Sequence, residues 1–304
     1  MRIMVTGGAG FIGSHLVQAL LQRGWQISVL DNFSTSRAAN VPDTAKVYAG
    51  DVRNREFVLA AMAQERPDII FHLAAQVSAA ASSRDPAGDA GTNIIGTINV
   101  LDAAVQGQVR KVIYASSAAV YGVPGYLPVD EKHLVAMQSC YGVSKFCAEK
   151  YFAVYRHLYG LDYTVLRYAN VYGPGQNSGA EGGVVAIFVN RLRQGRGVEI
   201  YGDGEQTRDF VYVKDIVAAN LAAIDQGSAQ VLNVGTNVPI TVNHLFHRLR
   251  ELIRAALDPV YLPARPEDIL HSRLDNRLAG QVLNWHPVYS VEAGLRETVM
   301  FWQR

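Results

Sequence analysis

Tyr141 and Lys145 stand four residues apart in Tyr-Gly-Val-Ser-Lys, within a stretch from Ser139 to His157 that reads as a helix. That offset places a phenol and an ammonium on one helical face, the arrangement of a general base whose proton affinity a neighbouring cation controls. Ser116-Ser117 closes an apolar run shortly before this helix. A hydroxyl there can hydrogen-bond a reacting oxygen and pass a proton to or from Tyr141. Taken alone, Y-x-x-x-K is also what chance produces on a helix with one surface lysine and one half-buried tyrosine.

A second cluster makes chance a poor account. Thr6-Gly7-Gly8-Ala9-Gly10-Phe11-Ile12-Gly13 follows the first apolar run, and Gly8, Gly10 and Gly13 fit G-x-G-x-x-G. Glycines of that spacing give a tight turn, let a pyrophosphate approach the backbone, and allow helix to pack closely on strand. The helix they open presents free N–H groups and a positive dipole end to the phosphates. Asp31, 18 residues beyond Gly13, ends the next run. A carboxylate there accepts from the ribose 2′-hydroxyl of an adenosine and repels a 2′-phosphate, so the expected cofactor is NAD rather than NADP. Arg37 reads as a solvated loop charge. A free phenol titrates near ~10, so lowering it by about three units takes roughly 4 kcal/mol. The Lys145 ammonium and a nicotinamide ring together are expected to supply this to Tyr141.

These groups need a scaffold. Ile3 to Thr6, Gln26 to Leu30, Lys46 to Tyr48, Ile69 to Leu73 and Lys111 to Ala115 are short β-branched runs that alternate with helical patterns. The fold class is therefore α/β, a doubly wound parallel sheet covered on both faces. Gly50-Asp51-Val52 and His72-Leu73-Ala74-Ala75 fall at later strand ends, where Asp51, Val52, Leu73, Ala74 and Ala75 would meet the cofactor. His72 reads as a packed core imidazole. After Tyr163 to Arg167 the texture turns glycine-rich (Gly173, Gly175, Gly179, Gly182, Gly183) and a smaller lobe begins. Val231 to Val234 reads as a strand returning to the main sheet. Domains are thus expected to be discontinuous, with 1–165 and 212–236 binding the dinucleotide and 166–211 and 237–304 forming a smaller α/β substrate domain.

Composition removes several function classes. The 304 residues are 49% hydrophobic and 18% charged, which rules out a disordered chain. With 28 basic against 27 acidic residues there is no surplus to hold nucleic acid or an anionic membrane, so neither is an expected partner. No run resembles a signal peptide or a membrane span, and a cytoplasmic protein is expected. Cys140 and Cys147 suit two buried thiols better than a bridge. His244 and His247 lack a third ligand at convincing spacing, so no metal site is expected.

Together the motifs resemble those of the extended short-chain dehydrogenase/reductases, and within them the NAD-dependent sugar-nucleotide epimerase/dehydratases. TGGAGFIGSH (6–15), HLAA (72–75), Asn93-Ile-Ile-Gly-Thr, YASSAAVYG (114–122), YGVSK (141–145), RYANVYGP (167–174) and RDFVYVKDI (208–216) carry the likeness over nearly the whole chain. The resemblance implies a retained NAD, a UDP-sugar substrate, and a homodimer built from the helices that follow Asn93 and contain Tyr141. It adds Gly7, Phe11, Ile12, Asn32, Asn93, Ser116 and Tyr168 to the cofactor set. It places Asn170, Val184, Tyr201, Gln206, Arg208, Arg265, Asp268 and Ser272 around the nucleotide sugar, the arginines opposing the diphosphate and Asp268 taking a ribose hydroxyl. Family branches differ after the active-site serine. Ala118 and Ala119 stand where 4,6-dehydratases carry an Asp-Glu pair and uronic acid decarboxylases a glutamate, so the segment is most similar to the UDP-glucose 4-epimerase branch. The implied reaction is 4-epimerisation of a UDP-hexose through a transient 4-keto sugar. The alternatives are a uronate epimerase or decarboxylase, a dehydratase, or a non-catalytic NAD sensor. Gly175 replaces an arginine common in this loop, which disfavours a carboxylated sugar, and Glu267 replaces a glycine. Ser272 matches a gatekeeper position where a small residue admits N-acetyl sugars.

Overall fold

The structure, a computed structural model, describes residues 1–179, 182–265 and 268–303; Glu267 lies outside them. In the first half, β1 (Arg2–Thr6), α1 (Phe11–Leu21), β2 (Gln26–Asp31), β3 (Lys46–Ala49), α2 (Arg55–Glu65), β4 (Ile69–His72), α3 (Ala79–Arg84), α4 (Pro86–Ala90), α5 (Gly96–Gln106), β5 (Lys111–Ser117) and α6 (Cys140–Tyr159) follow one another. The remainder runs β6 (Asp162–Tyr168), β7 (Asn170–Tyr172), α7 (Val184–Arg193), β8 (Glu199–Tyr201), β9 (Thr207–Tyr212), α8 (Val213–Ala222), β10 (Gln230–Val234), β11 (Pro239–Thr241), α9 (Val242–Ile253), β12 (Val260–Leu262), α10 (Arg277–Leu283) and α11 (Val291–Trp302).

The continuous apolar runs form one parallel seven-stranded sheet in the order β10-β6-β5-β4-β1-β2-β3. Alternation along each strand divides its side chains between two cores. Ile3, Val5, Ile69 and Phe71 pack with Leu16 of α1 and Ile216 of α8. Met4, Ile70 and Val112 pack with Met62 of α2, Leu101 of α5 and Phe152 of α6. Burial on both faces is why these strands read as unbroken hydrophobic segments. The return of β10 beside β6 agrees with the expectation for Val231 to Val234.

The smaller lobe has a three-stranded sheet, β11-β9-β7, and a β12-β8 pair. Its own core gathers Phe188, Phe246, Leu249, Phe210 and Leu295. One part of the C-terminal region behaves otherwise. Ala279 and Leu283 of α10, with Trp285, join the core beneath α1 and α8, and Trp285 Nε1 donates to the Asp215 carbonyl at 2.9 Å. The range 237–304 therefore does not lie wholly in the smaller lobe, because the apolar face of α10 covers the β10 edge of the large sheet. Cys140 and Cys147 are free, as a helical spacing demands, but half-buried rather than buried.

A buried ion pair crosses from α6 to β6. Arg167 grips Glu149 through Nε at 2.9 Å and Nη2 at 2.6 Å, with the side chains 5% and 3% exposed. Glu149→Gln would leave the guanidinium uncompensated in the core. It is expected to destabilise the protein by about 3–5 kcal/mol, read as a lowered urea midpoint at unchanged slope. The joint replacement Glu149→Leu with Arg167→Met should recover most of the loss.

Candidate active site

From β1 the chain steps outward one way to β2 and β3, and the other way to β4, β5 and β6. A crevice opens where these directions part, at the carboxyl ends of β1 and β4. Helix α1 starts there. Gly10 at its N-cap brings no side chain to the first turn, which also holds no acid, so the amides of Phe11, Ile12 and Gly13 remain for an anion. A Cβ on Gly13 would lie 2.2 Å from the Gly7 carbonyl oxygen, whereas one on Gly10 would meet only that oxygen, at 3.2 Å. Space over Gly10 is thus open to a ligand while Gly13 is closed by packing.

Asp31, only 7% exposed, shapes this loop as well as facing it. Its carboxylate accepts from Ala9 N at 3.0 Å, Phe33 N at 2.8 Å and Ser36 Oγ at 2.9 Å. A carboxylate has about four acceptor positions, which leaves one for a ribose hydroxyl. Asn32 Nδ2 donates to Asp51 at 2.8 Å, and the Arg53 guanidinium holds the Asp51 carboxyl down at about 2. Val52 is buried, Leu73, Ala74 and Ala75 are half-buried, and Arg37 is exposed. These residues fit a dinucleotide. His72 lies between Thr6 Oγ1 and Thr97 Oγ1, at 2.7 and 2.9 Å, and burial lowers it to about 3. It is a neutral core imidazole.

Three side chains expected at the cofactor turn elsewhere. Strand alternation sends Ser116 to the face opposite Ser117, where Oγ donates to Glu149 Oε1 at 2.5 Å. Asn93, on a π-helical turn between α4 and α5, is 1% exposed. Its amide bonds Gln76, Asp89 and Ser144. The Tyr168 hydroxyl bonds Asn220. The polar ends of these three side chains are thus bonded within the protein.

At the chemical end, Ser139 caps α6 by accepting from Gly142 N at 3.1 Å. A Cβ on Gly142 would stand 2.7 Å from the Ala119 carbonyl, so glycine lets α6 press onto the turn after β5. This brings the Tyr141 phenol near enough to Ser117 for the serine hydroxyl to favour the phenolate. Lys145 is 3% exposed, donates from Nζ to the Ala115 carbonyl at 2.8 Å, and sits 4.8 Å above the Tyr114 ring centre and 6.0 Å from that of Tyr141. Burial lowers Lys145 to about 7. Burial also pushes Tyr141 up to about 12, opposed by the Ser117 hydrogen bond and reinforced by the Asp89 carboxylate. The phenol of the protein without cofactor thus lies above its ordinary value, and the expected joint action of Lys145 and a nicotinamide ring belongs to the cofactor-bound site. Desolvation is the largest cause, and the downward pull in the protein comes from Ser117.

Glu149 completes the row. Tyr141, Lys145 and Glu149 recur every four residues on one face of α6, and Glu149 fixes that face to β6 through Arg167. The i, i+4, i+8 spacing was the signal available in the sequence.

In the smaller lobe the substrate candidates converge. The Arg265 guanidinium lies 3.6 Å over the Tyr201 ring centre, and Gln206 Nε2 donates to the Tyr201 carbonyl at 2.8 Å. Arg208 Nη1 donates to the carbonyls of Thr207 and Leu270 and feels the Asp268 carboxylate. Ser272 N donates to the Thr207 carbonyl at 3.2 Å. Asn170 is exposed, and Val184 opens α7 half-buried. The following residue pair, Arg273-Leu274, carries this segment to the catalytic strand, since Leu274 packs with Val120 and Tyr121 of the turn after Ser117.

Against that geometry, residues 3–235 match the model of the NAD dependent epimerase/dehydratase family. The chain is 40% identical to the UDP-glucose 4-epimerase of Mycolicibacterium smegmatis, covering 100% of this chain and 99% of that one. It resembles the UDP-glucose 4-epimerase of Thermotoga maritima, solved with UDP-glucose, at 44% identity and a TM-score of 0.98, over 100% and 99% of the two chains. A UDP-glucose 4-epimerase of Thermus thermophilus, solved with NAD, superposes with a TM-score of 0.94 at 38% identity, over 100% and 99%.

Proposed function

The chain belongs to the NAD-dependent epimerase/dehydratase family, and on that premise we propose that it interconverts UDP-glucose and UDP-galactose by inverting C4 of the hexose. NAD is its cofactor. The observation that carries the reading is the approach of Tyr141 and Lys145 of α6 to the end of β5 at Ser117 and Ala115, with alanines rather than acids directly after Ser117.

Tyr141, as phenolate, takes the proton of the C4 hydroxyl, and Ser117 donates to the same oxygen and keeps it in line. When bound, NAD supplies the acceptor and later donor of the C4 hydride and a positive ring charge that favours the phenolate. Arg208 and Arg265 hold the diphosphate while the hexose turns, so the 4-keto sugar presents its other face. Tyr141 then returns its proton, and no acid beyond this set is required. The amides of Phe11, Ile12 and Gly13 hold the cofactor pyrophosphate and Asp31 the adenosine ribose.

Incubation with UDP-glucose followed by separation of the products should yield UDP-galactose with no net change in nicotinamide absorbance. A steady rise in that absorbance on added NAD, with no galactose formed, overturns the reading. UDP-N-acetylglucosamine should also turn over. Ser272→Tyr is expected to abolish that second activity selectively, and equal loss on both substrates removes Ser272 as gatekeeper.

No helix among the described residues is long and apolar enough to cross a membrane, and cytoplasmic residence is part of the proposal. So is a homodimer through α5 and α6. Val143, Val154 and Leu158 of α6 and Ile95, just before α5, are 48%, 47%, 60% and 50% exposed, and apolar exposure at such spacing fits a helix-on-helix contact.

A further inference from the structure

We propose that Tyr121 is a positioning residue of the hexose site, its hydroxyl tying the helix and strand that carry the catalytic groups to the 272–275 segment that borders the sugar. The inference rests on the epimerase reading.

The hydroxyl stands at the centre of a continuous buried chain of hydrogen bonds. It accepts from Arg167 Nη1 at 2.8 Å and donates to Asn233 Oδ1 at 2.7 Å. On the Arg167 side lies Glu149, which anchors the helical face bearing Tyr141 and Lys145 and also receives Ser116, the strand neighbour of Ser117. On the Asn233 side, Nδ2 donates to the Val129 carbonyl at 2.9 Å. Val129 N in turn donates to the Arg273 carbonyl, and the Val129 carbonyl accepts from Asp275 N, both at 2.8 Å. Tyr121 and Val129 are 1% exposed, Arg167 5%, Glu149 4% and Asn233 0%.

Two features separate this chain from ordinary core packing. An ion pair extended by a phenol and an amide is a weak source of stability, because apolar residues of like volume hold a core as well or better. What such a network does provide is direction, since each donor and acceptor accepts one geometry. The link also joins the parts whose mutual placement the reaction depends on, for Ser117 and Tyr141 belong to the large sheet and its helix while Ser272 lies on the segment hung from Val129. Burial keeps Tyr121 a neutral phenol, pushed up to about 12, so its proton stays available to Asn233 across the working pH range. Arg208 and Arg265 make none of the hydrogen bonds of this chain, so the diphosphate groups themselves are left in place when it is cut.

The test is Tyr121→Phe, which deletes one oxygen and keeps the ring, with Asn233→Ser cutting the same link one residue further along. Each variant is purified, its bound NAD quantified, and kcat, KM and the Kd of UDP measured well below its melting temperature. A misplacement approaching 1 Å costs up to about 100-fold in rate. The expected result is kcat for UDP-glucose reduced about tenfold or more per NAD-loaded molecule, with UDP affinity and NAD content unchanged. If the folded variants lose melting temperature but keep the wild-type kcat, the network is structural only and the proposal is overturned. A wild-type protein that turns over no UDP-hexose overturns the epimerase reading and this inference with it, whereas wild-type turnover matched by both variants overturns this inference alone.

Discussion

Replacing Tyr141 with phenylalanine is expected to lower kcat by about a thousandfold while leaving NAD binding and melting temperature close to wild type. Removing a positioned general base typically costs 10²–10⁴-fold. Ser117 is a hydroxyl without a base of its own, and His72 is held neutral inside the core at about 3. Phenylalanine keeps the ring in place at the N-terminal turn of α6 and removes a single hydroxyl, a change of about 1 kcal/mol. The effect should fall on kcat rather than KM, because the diphosphate groups proposed above, Arg208 and Arg265, lie in the other lobe. Steady-state kinetics on NAD-loaded protein check this, and a variant within tenfold of wild type would show that another group removes the proton. The phenol of the protein alone, at about 12, also predicts that Tyr141 does not ionise near neutrality until the cofactor is in place. Ultraviolet titration of the cofactor-free protein should find no tyrosinate from this residue below about pH 10.

Lys145→Met should act in two opposite directions, losing turnover by about 100-fold or more and gaining stability at neutral pH. The lysine is buried with its pKa lowered to about 7 from an ordinary 10.5. Between those values the unfolded chain carries a proton on this residue that the folded protein lacks. Stability of the wild type therefore rises with pH across that window, and the burial penalty is fully present below pH 7 and gone above 10.5. Methionine has no proton to lose, so it escapes the penalty, but it leaves the Ala115 carbonyl without its donor, at a cost of about 1–3 kcal/mol. The penalty removed at pH 6.5 is about 4 kcal/mol, so the variant should be the more stable there. Its advantage should shrink by about 3 kcal/mol on moving to pH 9.5, whatever the orphaned carbonyl costs. Urea denaturation at the two pH values measures that difference. A stability gap that does not change with pH would mean that Lys145 keeps its ordinary proton affinity despite its burial.

The two predictions show what the site asks of the fold. Lys145 costs stability where it sits, and the helix that carries it is fixed by its Ser139 cap, by Ala148, Phe152 and Tyr155 in the core, and by the Glu149–Arg167 pair. Reactive groups kept in an unfavourable environment need such support, because the surrounding structure must outweigh their tendency to relax.

Much of this protein was legible in its residues taken in order. The apolar runs of β1, β2, β4, β5 and β6 follow from burial on both faces, which leaves no polar alternation to obscure them. The glycine turn, the acid at the end of β2 and the Tyr141–Lys145 spacing are local patterns, set by the geometry of one turn or one helix face. The three-residue strands β7, β8, β11 and β12 were not legible, since so short a strand exists only by pairing with its neighbour.

The tertiary structure alone decided the rest. That Ser116 bonds Glu149, that Asn93 bonds Gln76, Asp89 and Ser144, and that α10 covers the large sheet are consequences of who lies beside whom. The proton affinity of Tyr141 belongs with them. Its sign depends on whether burial or neighbouring charge prevails, and burial is a property of the assembled chain. Tyr121 and Asn233 meet across 112 positions. Spacing along a chain determines which groups share a turn or a face, whereas desolvation and long-range pairing exist only once the chain has closed on itself.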